Sequence, residues 1–320
     1  MKLIDLHCDT IFQFMNDEKQ MLKKNSFGVD LEKMKMADSL AQFFACFIHM
    51  KNFQGEDRFE QGYRYALQMI ARAKQEFDAN SDEIALARSY DEFLRNEKNK
   101  KISAFLTIEE GGVINGKMEH LEELHKQGIR LITLTWNEEN CLGYPNSDEK
   151  LIMSQGLKPF GIEVVERMND LGMIVDVSHL SDGGFWDVLR YSKKPVVASH
   201  SNARVLCSHR RNLTDEMIRA LAEQGGIAGI NLYPYFLNQS GKTGIEDMIR
   251  HIEHMYYVGG EEFVAIGTDF DGFDDGELDL KHIGELNYLY EALKKRKFND
   301  GQIEKFWNKN ARRIVRENLK

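Results

Sequence analysis

The chain has 320 residues, of which 42% are hydrophobic, so it can fill the core of a large barrel without a second domain. Its net charge of −9 argues against a nucleic-acid or anionic-membrane surface. The four cysteines form no C-x-x-C pair, which favours free thiols in a reducing compartment. Neither a membrane-spanning apolar run nor a signal peptide is recognisable, so we expect a cytoplasmic protein.

The first apolar run, residues 3–6, leads directly into His7-Cys8-Asp9. Alternate side chains of an extended strand share a face, so His7 and Asp9 are expected to project together. An imidazole beside a carboxylate makes half of a metal site. A buried histidine hydrogen-bonded to its neighbouring aspartate explains so short a pattern equally well. A helix over residues 11–24 follows, and then a second over 30–38 with an acidic cap.

Strand-length apolar runs and amphipathic helical segments alternate along the rest of the chain. Helices are predicted at 57–98 (two, broken near 80–81), 118–127, 159–171, 181–191, 214–224, 244–258, 282–295 and 300–317. Eight strands are predicted, ending near His7, Ile48, Glu110, Trp136, His179, His200, Leu232 and Asp269. Short apolar strands separated by helices are typical of parallel strands buried on both faces. The pattern predicts an α/β fold, a (β/α)8 TIM barrel forming one domain over residues 1–320, with a doubly wound sheet as the alternative.

Five of the predicted strands end in histidine, glutamate or aspartate. Strand C-termini point at a common centre in a barrel but lie along a line in an open sheet, so this placement favours the barrel. Three histidines and three carboxylates in one pocket are too polar for a core unless metal ions neutralise them. We predict a binuclear site with one ion held by His7, Asp9 and Glu110. The second ion would be held by Glu110, His179 and His200.

Several motifs, in this order, resemble those of the membrane dipeptidase (renal dipeptidase) family of zinc hydrolases. They are Asp5-Leu6-His7-Cys8-Asp9-Thr10, Glu110-Gly111-Gly112, Asp176-Val177-Ser178-His179, Ser199-His200-Ser201-Asn202-Ala203, Arg210-Arg211-Asn212 and Gly267-Thr268-Asp269. The resemblance implies two Zn²⁺ per chain, bridged by Glu110 and by a water or hydroxide that attacks the amide bond of a small dipeptide. It also implies that Asp269 is the catalytic acid/base, with Glu110 in the catalytic centre, and that Arg211 binds the substrate carboxylate. Tolerance of D-residues on the C-terminal side of the substrate is a further implication.

Trp136 departs from the family pattern, because a histidine that contacts the substrate is usual at this position. An indole has one N–H donor and cannot serve as an ionisable partner. Trp136, Asn231 and Tyr233 are predicted to line the substrate pocket, although packing explains Asn231 and Tyr233 at least as well. The alternative function is therefore a related binuclear amidohydrolase acting on another small amide, a lactam or an N-acyl amino acid. A non-catalytic metal-binding or ligand-binding barrel is a third alternative.

The expected partner is a small dipeptide-like substrate, with no nucleic acid and no membrane. An amphipathic helix of mixed charge over residues 310–320 suits packing against the barrel or against a second subunit, so a homodimer is a further expectation.

Overall fold

In the computed structural model, which describes residues 1–319, eight parallel strands close into a barrel. Together with three short strands outside the closed barrel, the strands in chain order are β1 (Leu3–Cys8), β2 (Ser39–Phe47), β3 (Ile84–Leu86), β4 (Ile102–Glu109), β5 (Ile129–Thr133), β6 (Ile174–Asp176), β7 (Val197–Ala198), β8 (Ile227–Ile230), β9 (Lys242–Thr243), β10 (Val264–Ile266) and β11 (Glu277–Leu278). The barrel runs β2-β1-β10-β8-β7-β6-β5-β4 and closes because β4 also pairs with β2. The predicted (β/α)8 barrel and its eight strands are confirmed. Three short strands were not predicted: β3 lies beside β4, and β9 pairs with β11 outside the barrel.

Helices separate the strands and cover the outside of the barrel. They are α1 (Thr10–Asn16), α2 (Leu31–Met36), α3 (Arg58–Ala79), α4 (Tyr90–Lys98), α5 (Met118–Lys126), α6 (Lys150–Met153), α7 (Pro159–Leu171), α8 (Asp182–Tyr191), α9 (Asp215–Glu223), α10 (Pro234–Leu237), α11 (Ile245–Gly259), α12 (Leu286–Lys295), α13 (Asp300–Glu304) and α14 (Asn310–Asn318). A π-helical turn, Lys305–Lys309, joins α13 to α14. The expected cap at Asp30 is present, since its side chain accepts from the Lys33 N–H.

The helix predicted over residues 11–24 is wrong beyond Asn16, where α1 ends. Asp17 takes an extended conformation, and its carboxylate accepts from the Lys19 N–H and the Gln20 side chain. Local side-chain hydrogen bonds of this kind compete with helix formation. The Leu22 N–H is then held by a carboxylate oxygen of Glu76 on α3, at 2.7 Å. The segment is therefore fixed as a loop by tertiary contacts.

The interior of the barrel is a separate apolar cluster to which all eight barrel strands contribute. It includes Ile4, Phe43, Phe105, Leu131, Ile174, Val197, Ile227 and Ala265, all buried. Ala311, Ile314 and Val315 of α14 join the same cluster, so the last helix packs on the end of the barrel where these strands begin. A larger cluster lies between the strands and the surrounding helices. The C-terminal strand ends are left as the polar end of the interior.

Within residues 1–319, no helix has both the length and the apolarity needed to cross a bilayer. All four cysteines are free thiols, and Cys8, Cys46 and Cys207 are buried.

Candidate active site

The polar side chains that end the strands converge at one end of the barrel interior. His7 comes from β1, Glu109 from the last position of β4, and His179, His200 and Asp269 from the turns that follow β6, β7 and β10. His179 and Asp269 have positive φ values of 67° and 61°, a conformation that non-glycine residues rarely adopt. Backbone strain of this kind is often concentrated at functional sites.

Two histidine nitrogens and one carboxylate oxygen form a tight triangle in this cluster. Nε2 of His179 lies 3.1 Å from Nε2 of His200 and 3.0 Å from Oε1 of Glu109. Nε2 of His200 lies 3.4 Å from the same oxygen. Two nitrogens bound tetrahedrally to one Zn²⁺ at about 2.0 Å would be about 3.3 Å apart, so this spacing suits a shared cation. Burial, aided by the charge of Arg211, lowers the pKa of His179 to about 4.

The second carboxylate oxygen of Glu109 belongs to a neighbouring group around His7. Nε2 of His7 lies 3.3 Å from Glu109 Oε2, 3.2 Å from Asp9 Oδ2 and 3.8 Å from Asp269 Oδ1. Burial alone would lower the pKa of His7, but the charges of Glu109 and Asp9 outweigh it and raise that pKa well above its usual value. The carboxylates thus stabilise positive charge at this point, where a metal cation would be stabilised too.

The prediction that Glu110 lies among the histidines is wrong, because Glu109 takes that place. Successive side chains of a strand point to opposite sides, and Glu109 faces the interior from β4. Glu110 starts the next turn with φ of 95°, and its carboxylate accepts from the N–H groups of Gly112 and Trp136 and from the Asn140 amide. Burial raises the pKa of Glu110 to about 7 against these lowering hydrogen bonds. It anchors the loop after β5 and contacts none of the clustered histidines.

Alternation along the strand is the signal that could have separated the two glutamates. Glu109 shares the parity of Phe105, which belongs to the barrel interior, whereas Ile108 packs in the outer layer with the helices. The sequence alone leaves open which of the two alternate sets of β4 side chains faces the barrel interior. Pairing of Glu109 with Thr133 of β5 and with Phe47 of β2 fixes it.

Asn231 was predicted to line the substrate pocket, but it is not among the residues that line the cavity. It is fully buried, and its amide donates to Asp269 Oδ2 at 2.9 Å and to the His200 carbonyl at 3.2 Å. It therefore holds Asp269 with the other oxygen, Oδ1, turned towards His7. Burial raises the pKa of Asp269 to about 6, even though the charge of His7 lowers it.

A cavity of about 290 Å³ opens over the cluster, and Trp136 and Tyr233 line it as predicted. Trp136 packs edge-on against Phe47, with ring centroids 4.8 Å apart, and against His49 at 4.9 Å. Tyr233 packs against Phe236 and Phe273 and donates to Asp275 Oδ2 at 3.3 Å. The pocket thus has aromatic walls on two sides. Other side chains that line it are Asp9, Asn137, Asp269, Asp274 and Asp275.

Arg211, with only 5% of its surface exposed, is not among the side chains that line this cavity, but its guanidinium lies against the ring of Phe236, which does line it. Its Nη atoms donate to Ser201 Oγ and to the His200 carbonyl, both at 3.0 Å, while its Nε has no partner within the described residues. No carboxylate of residues 1–319 lies within salt-bridge distance of it. Burial lowers its pKa to about 10, although Asp269 raises it. A buried cation without an ion pair favours an anionic ligand.

The donor set fits metal binding on chemical grounds. Imidazole nitrogens and carboxylate oxygens are ligands of zinc and related metals. His7, Glu109 and His200 form one group whose ligand atoms lie within 4.8 Å of one another, and His7, Asp9 and Asp269 form another. Asp9 Oδ1 and His7 Nδ1 are also buried with no partner among residues 1–319. A closed (β/α)8 barrel with this cluster at its C-terminal strand ends defines the class of metal-dependent hydrolase barrels.

The family follows from sequence comparison. The model of the membrane dipeptidase family, peptidase family M19, matches residues 1–320, and the chain belongs to this family of metallo-dipeptidases. It is accordingly a peptidase hydrolase.

Relatives and solved structures agree with this membership. An uncharacterized protein of Klebsiella pneumoniae is 30% identical over 259 residues, covering 78% of this chain and 94% of its own length. A dipeptidase of Claviceps purpurea is 27% identical over 313 residues, covering 96% of this chain and 73% of its own length. A metallopeptidase of Rhodobacter sphaeroides, liganded with a phosphinate mimic of L-Ala-D-Ala, shares the fold with a TM-score of 0.89 at 23% identity, covering 100% of this chain and 99% of that one.

Proposed function

We propose that the protein is a dipeptidase that uses two Zn²⁺ ions, with Glu109 as the ligand common to both. The observation that carries this proposal is the sharing of the Glu109 carboxylate. Its Oε1 meets His179 and His200, and its Oε2 meets His7, each at 3.0–3.4 Å. His179 and His200 would hold one ion, and His7 and Asp9 the other. When bound, such ions supply a nucleophile at neutral pH and polarise the scissile carbonyl.

Asp269 is placed to move the proton. Its Oδ2 is held by Asn231, while Oδ1 faces the cluster and the side chain lines the cavity. A carboxylate in this position can take a proton from the attacking water and give it to the leaving amine. The Asn231 hydrogen bond restricts its rotation.

Arg211 supplies the positive charge for the substrate carboxylate. Its guanidinium lies under the Phe236 ring, with Cζ 5.3 Å from the ring centroid, and its Nε is unpartnered within the described residues. The charge is buried, so it acts on the cavity with little screening by solvent. Free dipeptides, which carry a terminal carboxylate, are therefore the favoured substrates.

Trp136 is the reason to consider a second class of substrate. Its indole occupies the cavity wall where the family usually has a histidine, and it packs against Phe47. This wall favours apolar contact with the substrate rather than an ionisable one. N-acyl amino acids and lactams with an apolar acyl group are thus the alternative substrates.

The test is a substrate panel measured on metal-free and Zn²⁺-reconstituted protein. The panel contains L,L-dipeptides, L,D-dipeptides such as L-Ala-D-Ala, N-acyl amino acids and lactams. We expect turnover of dipeptides that is lost after chelation and restored by two equivalents of Zn²⁺ per chain. Full dipeptide turnover without metal, or saturation at one ion, would contradict the proposal.

Two variants separate the roles of Asp269 and Arg211. Asp269→Asn should lower kcat by about 10²–10⁴-fold, because it removes the proton acceptor. Arg211→Met should raise KM for free dipeptides far more than for dipeptide amides. Arg210→Met is the matched control, since the neighbouring Arg210 is paired on the surface with Asp148. Equal effects of the two arginine variants would exclude carboxylate recognition by Arg211.

A further inference from the structure

Resting on the proposed metal site, we propose that Asp176 and Ser199 form a hydrogen-bond relay that positions His200. The relay fixes the imidazole as the tautomer with its proton on Nδ1. It thereby directs the Nε2 lone pair at the place where the histidines and Glu109 converge. Neither residue touches the cavity, and both act through His200.

The first step is that Asp176 is saturated by donors. Its Oδ1 accepts from the backbone N–H groups of Ser178 at 3.0 Å and Ser199 at 2.9 Å. Its Oδ2 accepts from the hydroxyls of Thr133 and Ser199, both at 2.6 Å. These four donor groups belong to three residues, and all three are fully buried, as is Asp176. Four donors to two oxygens use the full acceptor capacity of a carboxylate.

The second step is that the single hydroxyl proton of Ser199 is committed to Asp176. If Ser199 donated to His200 instead, two oxygen acceptors would face each other at 2.6 Å with no hydrogen between them. Ser199 Oγ also lies 2.7 Å from Nδ1 of His200. The hydroxyl can only accept there, so Nδ1 carries a proton, and in the neutral imidazole Nε2 then carries none. A metal-binding histidine oriented by a hydrogen bond from its other nitrogen is a common design.

The third step is that the barrel holds Ser199 rigidly in this place. A Cβ atom on Gly229 of β8 would lie 2.1 Å from the Ser199 carbonyl oxygen, and one on Gly267 would lie 1.8 Å from it. Both glycines therefore leave room for the Ser199 backbone. The Ser199 N–H is bound to Asp176, so Ser199 is fixed from both sides. Because the side chain starts from this fixed backbone, the hydroxyl stays between Asp176 and His200.

His7 provides a contrast within the same cluster. Its Nδ1 is buried and has no partner among residues 1–319, so no side chain fixes its tautomer in the same way. Nδ1 of His179 lies 3.2 Å from Asn137 Oδ1, so the relay through Asp176 and Ser199 acts on His200 alone of these three histidines. We expect its loss to affect one metal-binding step and to spare the other.

The experiment is a Zn²⁺ titration of the metal-free protein by calorimetry, combined with NMR of the imidazole nitrogens in protein labelled with [¹⁵N]histidine. Ser199→Ala is expected to weaken one of the two binding steps by about 10–100-fold, the usual effect of losing such a partner. In the metal-free wild type, the NMR spectrum should show His200 protonated on Nδ1. In Ser199→Ala, that signal should become a mixture of tautomers.

Thr133→Val is the matched control. Thr133 and Ser199 are both fully buried and donate to the same Asp176 oxygen at the same distance, but Thr133 does not contact His200. A merely structural role predicts that both variants change metal binding alike. The relay predicts that Thr133→Val leaves both binding steps and the His200 tautomer unchanged.

Asp176→Asn reverses the relay without changing its size. The two backbone N–H groups at Oδ1 require the amide oxygen there, so the new NH₂ group must face the hydroxyls. Ser199 then accepts from the amide and donates to His200 Nδ1, which moves the proton to Nε2. We expect loss of the same binding step, at least as large as in Ser199→Ala, and the opposite tautomer by NMR.

The outcomes distinguish this relay from the proposed function. If the wild type binds no Zn²⁺ but shows His200 protonated on Nδ1, the metal proposal fails and the relay stands. If His200 of the wild type is protonated on Nε2, or if Ser199→Ala and Thr133→Val behave alike, the relay is overturned while the metal proposal can stand.

Discussion

Glu109 and Glu110 are adjacent residues of the same type whose side chains have different surroundings. Glu109 meets three histidines, whose hydrogen bonds and charge lower its pKa well below the usual value although burial alone would raise it. Glu110 meets only neutral donors from the following loops, and its pKa is raised by burial. The difference arises because consecutive strand residues face opposite sides. One carboxylate can hold cations, and the other orders the loop that carries Trp136.

Exchanging each glutamate for glutamine tests this division. Glu109→Gln should abolish the retention of both metal ions and reduce kcat/KM by at least about 10³-fold, because the shared charge is lost. Glu110→Gln should keep both ions and lower the free energy of unfolding by about 1–3 kcal/mol, since one of its three hydrogen bonds is lost. Metal content of the purified proteins and urea unfolding measure the two effects. If Glu110→Gln lost metal and Glu109→Gln retained it, Glu110 rather than Glu109 would be the metal ligand.

At the scale of elements, His251 fastens α11 to the loops at the active-site end of the barrel. Its Nε2 donates to the Leu237 carbonyl at the end of α10, at 2.9 Å. Its Nδ1 accepts from the Ala203 N–H at 3.1 Å, three residues after His200. The bond at Nδ1 requires the neutral imidazole, because a protonated Nδ1 cannot accept. Burial lowers the pKa of His251 to about 4, although the hydrogen bond to Leu237 raises it.

This linkage predicts a pH dependence of stability. In the unfolded chain His251 becomes protonated below about pH 6.5, whereas in the folded chain its pKa of about 4 keeps it neutral until the pH is much lower. The unfolded state then holds more protons, so the free energy of unfolding falls as the pH is lowered through this window. The contribution is on the order of 3 kcal/mol.

Urea unfolding of wild type and His251→Gln at pH 7.5, 6, 5 and 4.5 isolates this contribution from that of the other histidines. The difference in stability between the two proteins should shrink as the pH falls. A difference that stays constant across the series would show that His251 does not titrate in this range.

On the scale of the whole molecule, the last helix completes the barrel. Ile314 and Val315 of α14 are fully buried against the interior cluster that all eight barrel strands share. The Asn310 side chain also donates to the Val264 carbonyl of β10, at 2.8 Å. The C-terminal segment therefore belongs to the core rather than to the surface, within the described residues 310–319.

Truncation of one α14 side chain should destabilise the whole barrel. Ile314→Ala leaves a cavity in the shared interior cluster and should lower the free energy of unfolding by about 2–5 kcal/mol. Arg316→Ala, on the exposed side of the same helix, should change it by less than about 0.5 kcal/mol. Urea unfolding compares them. Equal stabilities would mean that α14 does not contribute to the core.

Metal binding is also expected to stabilise the whole fold, because the ligands come from strands all around the barrel. A ligand that binds only the folded state at a hundredfold excess over Kd adds about 2.7 kcal/mol. Removal of Zn²⁺ by a chelator should therefore lower Tm by about 5 °C or more. Zn²⁺ should restore Tm, whereas Mg²⁺, which prefers oxygen ligands, should not. An unchanged Tm after chelation would contradict a shared metal centre.

Much of the architecture could be predicted from local sequence. The alternation of apolar runs and amphipathic segments gave all eight barrel strands, because period and length are local properties. Helix ends were predicted where a single residue determines them, as at Gly172, which has φ of 71° just after α7. The loop over residues 17–24 was missed, because a contact with distant Glu76 helps to decide its course.

The sequence by itself determined that histidines and carboxylates stand at strand ends, and hence the class of the site. Only the tertiary structure decided which of two adjacent glutamates faces the histidines, since that depends on the pairing of β4 with β2 and β5. It also decided that Asn231 supports Asp269 rather than lining the pocket, and that Asp176 and Ser199 lie behind His200. These are contacts between strands far apart in the chain. The strand pattern shows which residues lie at the strand ends, but closure of the barrel determines which of their atoms come into contact.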